Sequence, residues 1–355
     1  MIFKLRLDQD LYHRLLLVFL SSFSFCFLAS YLLYSLTVWV TLVVPLSMML
    51  ATLKSSLQLE VGDKSVLITG CDTGFGLALA KHLTSLGFNV FAGCLLADKD
   101  GPGAAELRGL NNPRLKVIQL DITKQEDWEK ALDFVQKNLI ATSSGLWGIV
   151  NNAGWATFGE VEWVSMDTYR KAMDINVFGL ISGIKTFLPL IRNAKGRVVT
   201  ITSGLGRMAV PTRSPYCFTK YALEGFHDCL RYEMKAFGVD VSILEPGNFI
   251  AGTNIFNEKF VKSQAEMMWE NMDQEIKDAY GKDYFNQKVE IMRSYMNNGI
   301  PDIMPVINTY TDALLDVFPQ ARYQPMDNYF KVRCFIATHM PEMIYDYLYI
   351  GHARR

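Results

Sequence analysis

Several familiar signatures are missing from this chain, and each absence removes a class of function. None of the six cysteines (Cys26, Cys71, Cys94, Cys217, Cys229, Cys334) lies in a Cys-x-x-Cys pair. Their irregular spacing argues against a disulfide-stapled secreted domain, so they are read as buried free thiols in a reducing compartment. The five histidines (His13, His82, His227, His339, His352) show no ligand spacing, and no metal site is expected. No block of like charge occurs: 35 basic residues face 36 acidic ones, for a formal charge of -1. Nothing here offers a polyanion a surface, and nucleic acid is not an expected partner. There is also no internal repeat and no low-complexity linker.

Charge itself is absent from Leu15 to Leu53. A single span needs ~20 apolar residues, and this stretch is about twice that length. It reads either as a helical hairpin, roughly Leu15–Tyr34 and Leu36–Leu53, or as one span continued by a buried or interfacial stretch. The apolar core of a signal peptide would run only ~7–15 residues before a cleavage site. A mitochondrial presequence would be Arg-rich and amphipathic, whereas this start is mixed (Lys4, Arg6, Asp8, Asp10) and then purely apolar. A retained membrane anchor over residues 1–54 is therefore expected, with membrane lipid as a partner. Lys4, Arg6 and Arg14 balance Lys54 and Lys64 across it, so the flanks leave its orientation open.

From residue 55 to 355 the composition is that of a soluble domain. Short β-branched runs appear at Ser65–Thr69, Asn89–Ala92, Leu115–Leu120, Trp147–Asn151, Arg197–Thr202 and Asp240–Leu244. Helical patterns separate most of them. The alternation predicts an α/β fold: a Rossmann-type, doubly wound parallel sheet with helices on both faces. From about Asn254 to Pro301 the pattern changes, with Met267, Met268, Trp269, Tyr280, Tyr284 and Phe285 at helical spacing. Two late-inserted helices are expected there, either as ordinary core or as a substrate lid, followed by a final helix and a short strand near Tyr323.

Thr69-Gly70-Cys71-Asp72-Thr73-Gly74-Phe75-Gly76 directly follows the first strand and leads into a helical Leu77–Leu83. Glycines at this spacing permit a tight turn, close approach to a pyrophosphate and close helix–strand packing. The helix N-terminus then offers free N–H groups to phosphates. A dinucleotide site often carries an acid about 20 residues on, at the end of the second strand, for the ribose hydroxyls. Gly93-Cys94-Leu95-Leu96 stands there instead, with Asp98 slightly late, and no Arg or Lys is placed to receive a 2′-phosphate. NAD is the expected cofactor, with NADP as the alternative.

Four further pieces follow in order: Asn151-Asn152-Ala153-Gly154 ending a strand, Asn176 in a helix, Ser203 past another strand, and Tyr216-Cys217-Phe218-Thr219-Lys220. At helical spacing Tyr216 and Lys220 share one face. A free tyrosine titrates near ~10, too high for a good base. A neighbouring ammonium, with the positive nicotinamide ring, is expected to lower that value.

In this combination Lys64 to Gly247 resembles the short-chain dehydrogenase/reductase family, with Asp121 and Pro246-Gly247 continuing the pattern. The resemblance implies a cofactor site of Thr69, Gly70, Asp72, Gly74, Phe75, Gly76, Asp121, Asn151, Ala153, Gly154, Tyr216, Lys220, Pro246 and Gly247. Within it, Asp121 would hold the adenine amino group and Asn151 would border the cofactor. Ser203 would orient the substrate oxygen, and Tyr216 would move the proton. Lys220 would bind the nicotinamide ribose and tune Tyr216, and Asn176 would hold a water linking Lys220 to solvent. A homodimer built through two long helices is also implied, the one carrying Tyr216 being a candidate.

The tail extends the resemblance to the branch containing D-3-hydroxybutyrate dehydrogenase, 17β-hydroxysteroid dehydrogenase type 2 and the retinol dehydrogenases. Arg213-Ser214-Pro215-Tyr216-Cys217 and Glu245-Pro246-Gly247-Asn248-Phe249 are most like the first, whereas the long anchor is more like the steroid enzyme. The reaction expected is an alcohol–carbonyl interconversion on a small molecule. The anchor favours a steroid- or retinoid-like alcohol and the endoplasmic reticulum, with a mitochondrial membrane second. The alternative substrate is 3-hydroxybutyrate, whose carboxylate Arg207 or Arg213 would clamp in two parallel hydrogen bonds. A cofactor-binding scaffold without turnover is the remaining reading, but such a protein would lack the Tyr or Lys of that helix, and both are present.

Overall fold

The computed structural model describes residues 3–5, 9–32, 37–54, 57–253, 255–297 and 299–351. It divides into two compact units, one of residues 1–61 with Thr311–Gln320, the other of Gly62–Tyr310 with Ala321–Arg355.

In the first unit, strand β1 (Phe3–Leu5) pairs antiparallel with β2 (Leu57–Leu59). Between them in the chain come helices α1 (Gln9–Leu32) and α2 (Thr37–Lys54). The two helices run antiparallel: Ser22 donates to the Met48 sulfur at 2.8 Å, and Cys26 to the Val40 carbonyl at 3.6 Å. Residues 33–36, which include the ends of both expected spans, lie outside the described residues. Among the described residues, the one helix long and apolar enough to cross a bilayer is Met166–Ala194. That helix belongs to the hydrophobic core of the second unit, where Val177, Leu180, Ile184, Phe187 and Ile191 are buried. The N-terminal helices contribute shorter apolar runs, Leu11–Phe27 and Val40–Leu50.

The second unit begins with β3 (Ser65–Thr69), α3 (Gly74–Ser85), β4 (Asn89–Cys94), α4 (Pro102–Gly109), β5 (Leu115–Gln119) and α5 (Gln125–Asn138). It continues with β6 (Gly148–Asn151), α6 (Met166–Met173), α7 (Leu180–Ala194), β7 (Arg197–Ile201), α8 (Ser214–Met234) and β8 (Asp240–Leu244). The order in the sheet is β5-β4-β3-β6-β7-β8, extended at β8 by a short strand from the tail. Every pairing is parallel. Strands β3, β4, β6 and β7 are buried throughout, as a parallel sheet covered on both faces requires. The doubly wound sheet expected from the alternation is present, with strand ends within two residues of those read from the sequence.

The strand order reverses between β3 and β6, which opens a crevice beyond their carboxyl ends, where ligands of such sheets bind. Two long-range connections close this end of the sheet. The Thr69 hydroxyl at the end of β3 accepts from the amides of Asn152 (3.0 Å) and Ala153 (2.9 Å). Asn152 in turn donates to the carbonyls of Thr69 (2.9 Å) and Gly70 (3.2 Å).

The late region holds three helices rather than the two expected: α9 (Glu258–Asn271), α10 (Gln274–Tyr280) and α11 (Lys282–Asn297). Gly281, at φ +73°, separates the last two in a left-handed conformation that breaks the run. Then come α12 (Met304–Leu315), β9 (Arg322–Tyr323, parallel to β8), α13 (Asn328–His339) and α14 (Glu342–Tyr345). Val261, Met268, Phe285, Val289 and Met292 build a second core with Phe158 and Trp163. The rings of Trp163 and Phe285 lie 4.9 Å apart. Met267, by contrast, is exposed. All six cysteines are free thiols; five are buried, and Cys229 departs from the expectation by being exposed.

Candidate active site

The crevice is shaped first by its glycines. Gly70 and Gly74 hold positive φ (+69° and +57°), conformations that strain any residue with a side chain. A Cβ on Gly76 would collide with the Gly70 carbonyl and lie 2.5 Å from Asn152 Nδ2. The turn can therefore exist only with hydrogen at these positions, and it delivers the chain into α3 with its first amides free. Gly70, Asp72, Thr73, Gly74 and Phe75 line one side of a cavity of ≈ 590 Å³. Leu120, Asp121, Asn152, Ala153, Gly154 and Trp155 line the other. The bare backbone, the α3 N-terminus and the cavity beside them suit the phosphates and adenosine of a dinucleotide.

Asp121 accepts from the Thr123 amide (3.1 Å) and hydroxyl (2.7 Å). Burial opposes its charge, but these bonds and Lys124 outweigh it and lower its pKa. Asn151 is buried, donates to the Thr200 hydroxyl at 3.2 Å, and leaves its Oδ1 without a partner.

Tyr216, the residue expected to move the proton, sits on α8. Pro215 in its first turn preorganises the helix start and brings Tyr216 opposite Ser203. Ser203 caps the turn after β7, its oxygen accepting from the Leu205 amide at 3.1 Å, and it hydrogen-bonds Tyr216. Lys220, one turn further on, is buried and donates to the Ile201 carbonyl at 3.1 Å. Burial pushes the Tyr216 phenol up to about 12, with the Ser203 bond only partly opposing it, and pulls the Lys220 ammonium down to about 8. The sequence reading expected Lys220 to lower the tyrosine. Within the protein's own groups, desolvation of both side chains wins instead.

Asn176 lies in a π-helical segment, Asp174–Gly179, between α6 and α7. Its side chain accepts from the Trp155 amide (2.8 Å) and donates to the Trp155 carbonyl (2.8 Å) and the Thr219 hydroxyl (3.1 Å). That amide is taken up in tying the 154–156 loop to α8, so the expected water would have to be held by another atom.

A second cavity, of ≈ 80 Å³, is lined by Ser203, Tyr216, Pro246 and Gly247 together with Arg213, Phe256, Tyr295 and others. Of the two arginines singled out in the sequence, Arg213 lines this cavity and Arg207 does not. Arg213 is only 8% exposed. Its guanidinium stands 5.3 Å from the Phe256 ring centroid and 5.2 Å from that of Tyr295. The polar neighbours that act on it are Tyr295, Cys217 and Tyr216, none of them a carboxylate, and burial lowers its pKa. The late region thus supplies both core and cavity wall.

Sequence reasoning missed His227, which is buried behind the site. Its Nδ1 lies 2.8 Å from the Leu223 carbonyl, which can only accept, so Nδ1 carries the proton. Nε2 then accepts from the Thr200 hydroxyl at 2.7 Å, and Thr200 accepts from Asn151. The signal available was its position on α8, seven residues after Lys220 and so on the same face.

A family model for short chain dehydrogenases matches residues 64–263. The chain is 50% identical over 287 residues to mitochondrial D-beta-hydroxybutyrate dehydrogenase of Rattus norvegicus, covering 81% of this chain and 84% of the relative. It is 38% identical over 269 residues to 11-beta-hydroxysteroid dehydrogenase type 2 of Oryctolagus cuniculus, covering 76% of this chain and 65% of the relative. Among solved structures, a short chain dehydrogenase/reductase from Burkholderia phymatum in complex with NAD superposes with a TM-score of 0.62 at 17% identity, covering 84% and 97% of the two chains.

Proposed function

Because the chain belongs to the short-chain dehydrogenase/reductase family and is an NAD(P)-dependent dehydrogenase acting on CH–OH, we propose that it oxidises a short 3-hydroxy acid of the 3-hydroxybutyrate class with NAD. Arg213 carries this reading. A buried guanidinium facing the cavity that holds Ser203 and Tyr216, with no carboxylate against it among the described residues, suits a substrate that brings its own carboxylate.

Size supports the same choice. A cavity of ≈ 80 Å³ holds roughly six waters at ~10–15 Å³ each, which is room for a four-carbon acid. The 50% identity to an enzyme named for hydroxybutyrate points the same way. These observations favour the second of the two substrate classes expected from the sequence.

For the cofactor, NAD is favoured because no Lys or Arg is among the residues lining the dinucleotide cavity, whereas Asp72 and Asp121 are. When bound, the nicotinamide supplies the hydride acceptor. Ser203 then holds the substrate hydroxyl through its own hydroxyl, and Tyr216 takes the hydroxyl proton as the carbon-bound hydrogen leaves with its electron pair. Lys220 keeps a positive charge beside the Tyr216 phenolate that accepts this proton. In the reduction direction the same proton returns from Tyr216 to the carbonyl oxygen.

The hairpin of α1 and α2 is proposed to embed in a membrane. Leu17, Leu20, Phe25, Phe27, Leu42 and Leu50 are all at least half exposed, a density of apolar surface that water does not favour. The hydroxybutyrate relatives are named mitochondrial, which favours a mitochondrial membrane over the endoplasmic reticulum. The deciding experiment is cofactor reduction by membrane-reconstituted protein with D-3-hydroxybutyrate, estradiol and retinol in parallel. Turnover of the hydroxy acid alone is expected; turnover of the steroid or retinoid with none of the acid would overturn the proposal.

A further inference from the structure

The second strand of the sheet ends without the acid that would bind adenosine ribose hydroxyls. Asp98, the nearest downstream acid in the chain, is exposed and does not line the dinucleotide cavity. The structure fills that corner from elsewhere. Asp72, in the glycine turn, directs its carboxylate across to the end of β4. There its two oxygens accept from the amides of Leu95 (2.8 Å) and Leu96 (3.0 Å). Both Asp72 and Leu95 line the cavity.

Two contacts fix Asp72 in this place. The Cys71 amide donates to the Gly93 carbonyl at 2.9 Å, which docks the turn on β4. The Asp72 backbone carbonyl packs so closely on Gly103, at the start of α4, that a Cβ there would collide with it. The carboxylate is therefore held rigidly. A carboxylate has about four acceptor positions, so two remain after the backbone amides are satisfied.

We propose that Asp72 is the residue that selects NAD over NADP. Its free acceptor positions take the 2′- and 3′-hydroxyl protons of the adenosine ribose, and its charge repels a 2′-phosphate. No lining Lys or Arg offsets that repulsion; Lys124 is paired with Asp121 at 3.5 Å and Arg108 with Asp100 at 2.9 Å. This deepens the NAD reading above and rests on it.

The test measures binding to the full chain by calorimetry, using ADP-ribose, 2′-deoxy-ADP-ribose and 2′-phospho-ADP-ribose, with NAD and NADP kinetics alongside. Wild type is expected to bind ADP-ribose roughly 100-fold more tightly than the 2′-phosphorylated probe, and to lose about tenfold when the 2′-hydroxyl is removed. Asp72→Asn, which keeps an acceptor oxygen and drops the charge, is expected to narrow the phosphate discrimination by roughly tenfold or more. Asp98→Asn is expected to leave it unchanged. Wild type preferring the phosphorylated probe would sink the NAD reading itself. Wild-type preference for ADP-ribose with no effect of Asp72→Asn would keep that reading and overturn the role of Asp72. Should Asp72→Asn fail to fold, wild type that ignores loss of the 2′-hydroxyl would overturn it equally.

Discussion

The Lys220 ammonium lies 5.4 Å from the centre of the Tyr216 ring, one helical turn along α8, while donating to the Ile201 carbonyl. Burial leaves Lys220 the more acidic of the two, at about 8 against about 12 for Tyr216, and a proton lost from such close neighbours can be drawn from either group. The deprotonated pair with the charge arranged as ammonium and phenolate is the form that accepts the substrate proton. We expect kcat/KM for alcohol oxidation to rise with pH and level off above about 8. In Lys220→Met the rise should continue with no plateau below about pH 10. A pH profile unchanged by that substitution would place the titrating proton elsewhere.

Tyr216→Phe removes the hydroxyl and keeps the ring that packs against the second core. Turnover should fall by roughly 10³-fold or more, with NAD affinity within about threefold of wild type. Substantial activity in this variant would refute the assignment of the proton carrier.

Arg213 makes a different prediction, because its role is in binding. Arg213→Lys retains charge without the planar fork, and Arg213→Gln loses both. For 3-hydroxybutyrate, KM should rise roughly tenfold in the first and about 100-fold in the second. For an alcohol without a carboxylate, both variants should match wild type. Equal losses on both substrates would return Arg213 to a purely structural role.

His227 links stability to pH. Burial first of all holds its imidazole at about 4, against 6.5 when free. Between these values the unfolded chain binds a proton that the folded chain does not. Its contribution is complete above pH 6.5 and is lost as pH falls toward 4, by about 3 kcal/mol. Glu224, raised to about 7 by burial and by Glu245, acts in the opposite sense over 4.5–7. The measurement is therefore the difference in denaturant stability between wild type and His227→Gln, followed from pH 7 to 4.5. That difference should shrink with acid; a constant difference would mean that the imidazole is not held neutral by the fold.

The hairpin proposal is checked by charge. Phe25 and Leu42 are 74% and 64% exposed. Arginine at each would cost ~2.5–3.5 kcal/mol near a bilayer centre. The wild-type chain should stay with membranes through alkaline carbonate washing, and Phe25→Arg/Leu42→Arg should release it. Wild-type protein that washes off would remove the embedded hairpin.

The parts of this protein legible in its sequence are those set by spacing along the chain. β-branched runs of four to six residues alternating with helices dictate a parallel sheet, because only strands and helices of those periods bury their apolar faces together. The glycine turn was readable because bare backbone is needed at Gly70, Gly74 and Gly76 themselves. Tyr216 and Lys220 were readable because four residues of helix bring any such pair onto one face. Gly281 was the missed local signal, since a single positive φ divides a helix that composition alone would continue.

Tertiary structure decided the rest, and in each case the cause is contact between segments far apart in sequence. Periodicity on α8 says nothing of what Arg213 faces; that depends on Phe256, just ahead of α9, and Tyr295 of α11 arriving beside it, with no acid among the groups that act on it. The Tyr216 value moved opposite to the local expectation because burial, a property of the assembled core, outweighed its proximity to Lys220, and burial lowered the Lys220 value as well. Asp72 reads in sequence as one residue of a turn, and becomes the acid of the second strand only when the sheet brings Leu95 and Leu96 within hydrogen-bonding reach of it.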